Sequence, residues 1–378
     1  MSFDLALYIH VPFCRRKCPY CSFVSFDYRA DDIPLYISTL KRELELKAAG
    51  EHVCSIYFGG GTPSLLPAAE IGGLLSVINT RFVVDKNAEI TMEVNPGTVD
   101  DDYLKTVRKL GVNRLSLGVQ SLNERELVLL GRIHTAEQAK DAVRSARGAG
   151  FDNLNIDLIY GLPGQVLSDW QRSLDEASAL EPEHLSLYAL TLEEDTLMWD
   201  AVSQGLLPAP DPDFSADLYE IADDRLEADG YKHYEISNWA RPGYECRHNL
   251  VYWRNHPYLG AGLAAHSCLN GHRLANTKNI DKYLAGYSGN APLVPEMDEE
   301  ISPQMELAET VILGLRMVDG INADDIRRRF GIDIFEHYRK QVEEMIAAGL
   351  MEKDNSILKL TRRGLLLSNE VFWRFLPG

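Results

Sequence analysis

Six short runs with strand character, Leu5–Val11, Ser55–Phe58, Glu89–Val94, Arg114–Val119, Asn153–Ile159 and His184–Leu190, alternate with helical patterns through the first half of the chain. In PLYISTLKRELELKAAG, Ile37, Leu40 and Leu44 recur at helical spacing before a stop at Gly50. DDDYLKTVRKLG closes at Gly111, and HTAEQAKDAVRSARGAG at Gly148 and Gly150. SDWQRSLDEASALEP takes Ser168 or Asp169 as N-cap and ends before Pro182. Strands that alternate with helices pair in parallel through right-handed crossovers. The spacing therefore predicts an α/β fold around a parallel sheet, either open or curled into a barrel.

Ligands of such sheets bind beyond the carboxyl ends of the strands, and the unusual residues collect there. A cysteine-rich loop follows the first strand, and Gly59-Gly60-Gly61-Thr62-Pro63 the second. Glu93, with Asn95-Pro96, ends the third, and Gln120 the fourth. Asp157 closes the fifth before Gly161-Leu162-Pro163-Gly164, and Thr191 follows the sixth. The glycine triplet reads equally as a close backbone approach to a ligand or as a plain tight turn. GxGxxG and Walker patterns are absent, so a nucleotide phosphate is not indicated.

The cysteine loop is Cys14, Cys18 and Cys21 in C-x3-C-x2-C spacing, with Arg15, Arg16 and Lys17 in the first gap. A disulfide would strand one thiol, and loops this short give poor disulfide geometry. Zinc sites built on cysteine come as C-x2-C pairs in two halves, whereas Cys54, Cys246 and Cys268 stand singly. A [4Fe–4S] cluster fits better. It normally takes four cysteines, so three leave one iron open to another ligand, and the basic residues offset its charge. A structural zinc completed by His10 is the competing reading.

YIHVPFCRRKCPYC, YFGGGTP, MEVNP, SLGVQS, LGRIHT and NIDLIYGLPGQ, in that order over roughly the first 200 residues, resemble the oxygen-independent coproporphyrinogen III oxidase branch of the radical S-adenosylmethionine (SAM) superfamily. The resemblance implies a partial (β/α)6 barrel with Cys14, Cys18 and Cys21 on the cluster, whose open iron binds the amino and carboxylate groups of SAM. It further implies that Tyr8, Gly60, Gly61, Thr62, Glu93, Gln120, Arg132 and Asp157 contact SAM. Taken singly, Glu93, Asp157 and Gln120 are ordinary strand-end residues, and Arg132 an ordinary surface cation. Two departures separate the chain from the oxidases. Phe23 stands where they have a further cysteine, and the cluster motif arrives by residue 14, without their N-terminal extension.

Residues 231–273 hold His233, His248, His256, His266 and His272, half of the histidines. An imidazole backed by aromatics suits an axial heme ligand, while a connecting segment whose histidines cap and hydrogen-bond is the plainer reading. His248-Asn249-x-x-Tyr252-Trp253 resembles the HNxxYW motif of HemW-type heme chaperones, relatives that also lack the fourth cysteine and the extension. By that resemblance His248 contacts heme and Tyr252 and Trp253 shape its site, with Cys246 a further candidate. The cofactors implied are a [4Fe–4S] cluster, SAM and heme, and the partners apo-hemoproteins or heme donors. The competing activity is coproporphyrinogen III oxidation.

PAPDPD, residues 208–213, reads as a linker. From residue 302 the sequence turns helical and closes with LMEKDNSILKLTRRG, two short strands about Asp354-Asn355, a winged-helix-like pattern. The expected organisation is a core barrel over 1–205, an α+β region with the HNxxYW patch over 206–300, and the winged-helix-like domain over 301–378. A net charge of −18 argues against nucleic acid. No apolar run reaches the length of a membrane span and no signal pattern opens the chain, and irregularly spaced cysteines suit the cytoplasm. The sequence allows a homodimer.

Overall fold

The computed structural model of the chain describes residues 5–27, 30–287 and 293–377. The six runs form β1 (Leu5–Val11), β2 (His52–Gly60), β3 (Val83–Val94), β4 (Arg114–Gln120), β5 (Leu154–Tyr160) and β6 (His184–Ala189), parallel and adjacent in that order. Between them run α1 (Ile33–Lys47), α2 (Ala68–Arg81), α3 (Asp101–Lys109), α4 (Ala136–Gly148) and α5 (Leu167–Ser178). Alternate strand residues such as Ile56, Phe58, Met92 and Leu115 share one apolar core with Leu40, Leu74, Leu104 and Val143 of the helices. The other strand parity carries Ser55, Tyr57, Glu89, Glu93, Ser116, Asn155, Asp157 and His184, joined by hydrogen bonds on the concave face of a partial (β/α)6 barrel. α4 starts with a capping box of Thr135 and Gln138. α5 corrects the expected cap. It begins at Leu167 on Val166, with no side-chain cap, and Asp169, inside the first turn, pairs with Arg172 at 2.8 Å and Arg125 at 3.6 Å.

The chain after β6 does more than connect. PAPDPD ends by starting α6 (Pro212–Ala228), with Asp211 as N-cap and Pro212 in the first turn. β7 (Lys232–Glu235) and β8 (Asn238–Ala240) extend the sheet beyond β6, and α7 (Arg247–Trp253) comes next. β9 (Tyr258–Ala261) then pairs in parallel with the free edge of β1, continued by β10 (His266–Leu269), β11 (His272–Ala275) and β12 (Met297–Glu300). The result is a 12-stranded sheet in the order β12-β11-β10-β9-β1-β2-β3-β4-β5-β6-β8-β7.

The C-terminal part has its own apolar core of Leu307, Val311, Ile326, Val342, Leu358 and Phe375, among others. Helices Ala323–Phe330 and Arg339–Ala347 precede a hairpin of Met351–Asp354 and Ile357–Leu360, the winged-helix-like arrangement, with Asn355 left-handed in its turn (φ 51°). It docks on the barrel through Ile236 N to Arg316 O at 3.2 Å and Val318 N to Tyr234 O at 3.1 Å. Among the described residues no helix is long and apolar enough to cross a membrane.

Candidate functional site

Ten of the eleven residues expected on the cluster or SAM line one cavity of about 410 Å3 at the carboxyl ends of the strands: Cys14, Cys18, Cys21, Gly60, Gly61, Thr62, Glu93, Gln120, Arg132 and Asp157. The glycine triplet is no plain turn. Gly61 N donates to Val11 O at 2.8 Å, and a Cβ at Gly61 would lie 2.8 Å from Phe13 O. Gly60 has φ 111°, and a Cβ there would enter the His10 ring at 2.5 Å. These glycines let the cysteine loop lie directly against the end of β2. On the opposite wall a register shift in β4 leaves Gln120 left-handed (φ 68°). A non-glycine residue held this way is strained, and such strain collects at functional sites.

The thiols carry hydrogen bonds from the cavity wall. Thr62 Oγ1 donates to Cys14 Sγ at 3.7 Å, and Arg132 Nη1 to Cys18 Sγ at 3.5 Å. The half-buried Arg132 also gives Nη2 to Gly118 O at 2.7 Å, while its buried Nε has no partner among the described residues. Burial pushes the Cys14 and Cys21 thiols up, so metal binding there would release protons. Across the cavity Glu93 accepts from Tyr57 at 3.0 Å and from Gly60 N at 3.0 Å. Asp157 accepts from Ser116 at 3.0 Å and from Asn155 at 2.8 Å. Burial raises both acids, and the nearby Asp157 adds to the rise that takes Glu93 to about 7. A cavity with thiols and a guanidinium on one side and two charge-starved carboxylates on the other suits an anionic metal cluster beside a cationic ligand. Tyr57 and Ser116 also line the cavity and were not marked from the sequence. Strand parity could have found them, since Ser116 lies two residues before Gly118 of the cavity and Tyr57 shares the inward parity of Ser55.

His10 could not complete a zinc site without rearrangement. Its ring nitrogens are bonded to Tyr8 Oη at 3.1 Å and Val24 O at 2.8 Å. Among the described residues no three His, Cys, Asp or Glu side chains, the three cysteines included, are gathered around a single metal ion, whereas a cluster takes each thiolate on a separate iron.

Two of the expected residues stand outside this cavity. Tyr8 stands behind Gly59 and Glu93 and lines a neighbouring cavity instead. His248 is buried, with both ring nitrogens in hydrogen bonds. It is 1% exposed, its Nδ1 bonded to Ser55 Oγ at 3.0 Å and its Nε2 to Tyr252 Oη at 2.9 Å. Burial, with the Arg114 charge, lowers its pKa to about 3. Its helix α7 plugs the end of the barrel opposite the cysteines. The Glu89 carboxylate of β3 accepts from Cys246 Sγ at 3.4 Å and from the N–H groups of Arg247 and His248 at 3.2 Å each. An anion at a helix N-terminus is the favoured placement. Cys246 is thereby buried as well, and Trp253 lies under the Arg316 guanidinium, which is 4.3 Å from its ring centroid.

The Radical SAM superfamily profile matches residues 8–177, and that of the HemN C-terminal domain residues 301–367. The heme chaperone HemW of Lactococcus lactis is 37% identical over 370 residues, 98% of this chain and 96% of that protein. The heme chaperone HemW of Escherichia coli is 37% identical over 384 residues, 98% of each. The solved structure of coproporphyrinogen III oxidase (HemN) from Escherichia coli, a radical SAM enzyme, superposes with a TM-score of 0.86 at 26% identity, covering 98% of this chain and 90% of that one.

Proposed function

This chain belongs to the HemW-type heme chaperone family of the radical SAM superfamily, and from that membership we propose that it binds a [4Fe–4S] cluster, SAM and heme and delivers heme to apo-hemoproteins. The observation that carries the cofactor part is the convergence of three thiols, a glycine cradle and two raised carboxylates on one cavity. Cys14, Cys18 and Cys21 would hold the cluster, with Thr62 and Arg132 bonded to two of their sulfurs. Gly60 and Gly61 would let SAM approach the backbone, and Glu93 and Asp157 would meet its amino N–H and ribose hydroxyl groups. The cluster supplies an electron and SAM an adenosyl group when both are bound. Heme as cargo is supported by the family. All six cysteines are free, which suits the proposed cytoplasmic setting.

A second reading, coproporphyrinogen oxidation, is favoured by the likeness to the solved oxidase. One experiment separates them. Anaerobically reconstituted protein is titrated with hemin and, in parallel, incubated with coproporphyrinogen and SAM. A Soret band without protoporphyrinogen formation is the expected result, and turnover without heme binding would select the oxidase.

SAM affinity should depend on pH through Glu93. In the free protein this acid is half protonated near pH 7, its pKa raised to about 7 by burial and Asp157. A bound cation lowers that pKa, so binding releases a proton below about pH 7, and affinity rises with pH until it levels above that value. The slope approaches tenfold per pH unit for one linked proton. Equilibrium binding between about pH 6 and 8 measures it, and Glu93→Gln should remove its share of the slope, leaving that of the SAM amino group, which sheds a proton to bind iron.

A further inference from the structure

Beside the cofactor cavity lies a larger one, of about 630 Å3, within the roughly 300–1,000 Å3 of small-molecule sites. The two share Ser22 and Phe23, so the segment just after Cys21 forms the wall between them. Tyr8, His10 and Tyr252 stand at its base, with the ring nitrogens of His10 and the Tyr252 hydroxyl committed to internal hydrogen bonds. The HNxxYW helix thus reaches this cavity through Tyr252, while His248 stays behind it. One side of the cavity is β10, whose alternation places His266 and Cys268 on the same face. His266 is exposed, and its ring makes no hydrogen bond among the described residues. Phe23, 65% exposed, and Tyr258 offer aromatic surface, and Lys278 adds an exposed cation at the rim. Arg273 is already paired with Glu309 at 2.6 Å.

We propose that this cavity is the heme site, with His266 giving its imidazole to the iron, Phe23 and Tyr258 packing on the porphyrin, and Lys278 facing a propionate. The assignment rests on the heme-chaperone reading above and gives it a location. The ligand it describes is flat, apolar over its faces and anionic at one edge. The cavity answers with aromatic side chains, one uncommitted imidazole and a cation. Burial and the charges of Lys278 and Arg273 push the His266 pKa down, which keeps the imidazole in its neutral, metal-binding form. Placement across the Phe23 wall would also bring heme beside the cluster and SAM without displacing either.

The test is hemin titration of the full chain after anaerobic cluster reconstitution, comparing the parent with His266→Ala and Lys278→Glu. His266→Ala should weaken and shift the Soret band and raise the heme Kd at least about tenfold, since losing even a partner of a metal ligand costs roughly 10–100-fold. Added imidazole should restore the band, a rescue that a purely structural role would not show. Lys278→Glu should weaken binding with the band position kept. Iron, sulfide and SAM binding should stay at parental levels in both variants. Parental titration curves from both variants, or a band lost in folded His248→Gln and kept in His266→Ala, would overturn the location while leaving heme binding intact. A parent that gives no Soret band would remove the heme reading itself.

Discussion

Cys14→Ala, Cys18→Ala and Cys21→Ala should each strip the chain of nearly all bound iron and sulfide. With three thiolates holding a cluster, the loss of one leaves two irons without a protein ligand, and no neighbour replaces it. Cys246 is buried against Glu89 at the far end of the barrel, and Cys268 lies in the second cavity. Arg132→Ala and Thr62→Val provide the graded comparison. Each removes one hydrogen bond to a ligating sulfur, at 3.5 Å and 3.7 Å respectively, and should weaken cluster retention by roughly 10–100-fold. The cysteine variants must exceed that. Iron and sulfide analysis after anaerobic reconstitution reads both effects, and melting temperature reports whether the apoproteins remain folded. A variant lacking one thiol yet holding a full cluster would mean that another group takes the vacated corner, and the cavity would need reinterpretation.

The barrel and its rim were legible because local signals and topology agree there. The run of β1 matches from Leu5 to Val11, and β4 and β6 differ from expectation by a single residue at one end. Their carboxyl ends carry the glycines, acids and thiols that the cavity gathers, since parallel pairing brings those ends together. The region beyond β6 was legible in motif and not in place. β9 has only four residues, Gly260 among them, and its pairing with β1 spans some 250 residues of sequence. A Cβ at Gly260 would lie 2.1 Å from His266 O, a requirement that shows only once β10 has folded back. His248 and Tyr252, four apart on α7, share a helix face, but nothing local says whether that face meets solvent or the inside of a barrel. The deciding contact is Glu89, 159 positions away in sequence from His248. The motif names these residues, and it is the contact with Glu89, remote in sequence, that leaves Tyr252 lining the second cavity and His248 behind it.

Glu89→Ala should be among the most destabilising single substitutions in the chain, at about 3–5 kcal/mol, since it leaves three buried donors without their acceptor at roughly 1–3 kcal/mol each. Glu89 is 6% exposed and holds three donors at the start of α7. It also lies near Arg114, which is 2% exposed and whose Nε has no partner among the described residues. Without the carboxylate, two backbone N–H groups, a thiol and a guanidinium lose their compensation at once. The melting temperature should fall by about 10 °C, taking roughly 2–4 °C per kcal/mol for a large domain. Glu89→Gln keeps an acceptor and loses the charge, so it should fall between parent and alanine. The damage should also reach the cofactor cavity. The His248 ring lies 5.1 Å from the Tyr57 ring, and Tyr57 donates to Glu93. A loosened plug therefore frees the base of the residue that orients Glu93, and SAM affinity should drop in a variant altered at the opposite end of the barrel. A Glu89→Ala protein with parental melting temperature and SAM affinity would show that α7 neither closes the barrel nor supports the cavity above it.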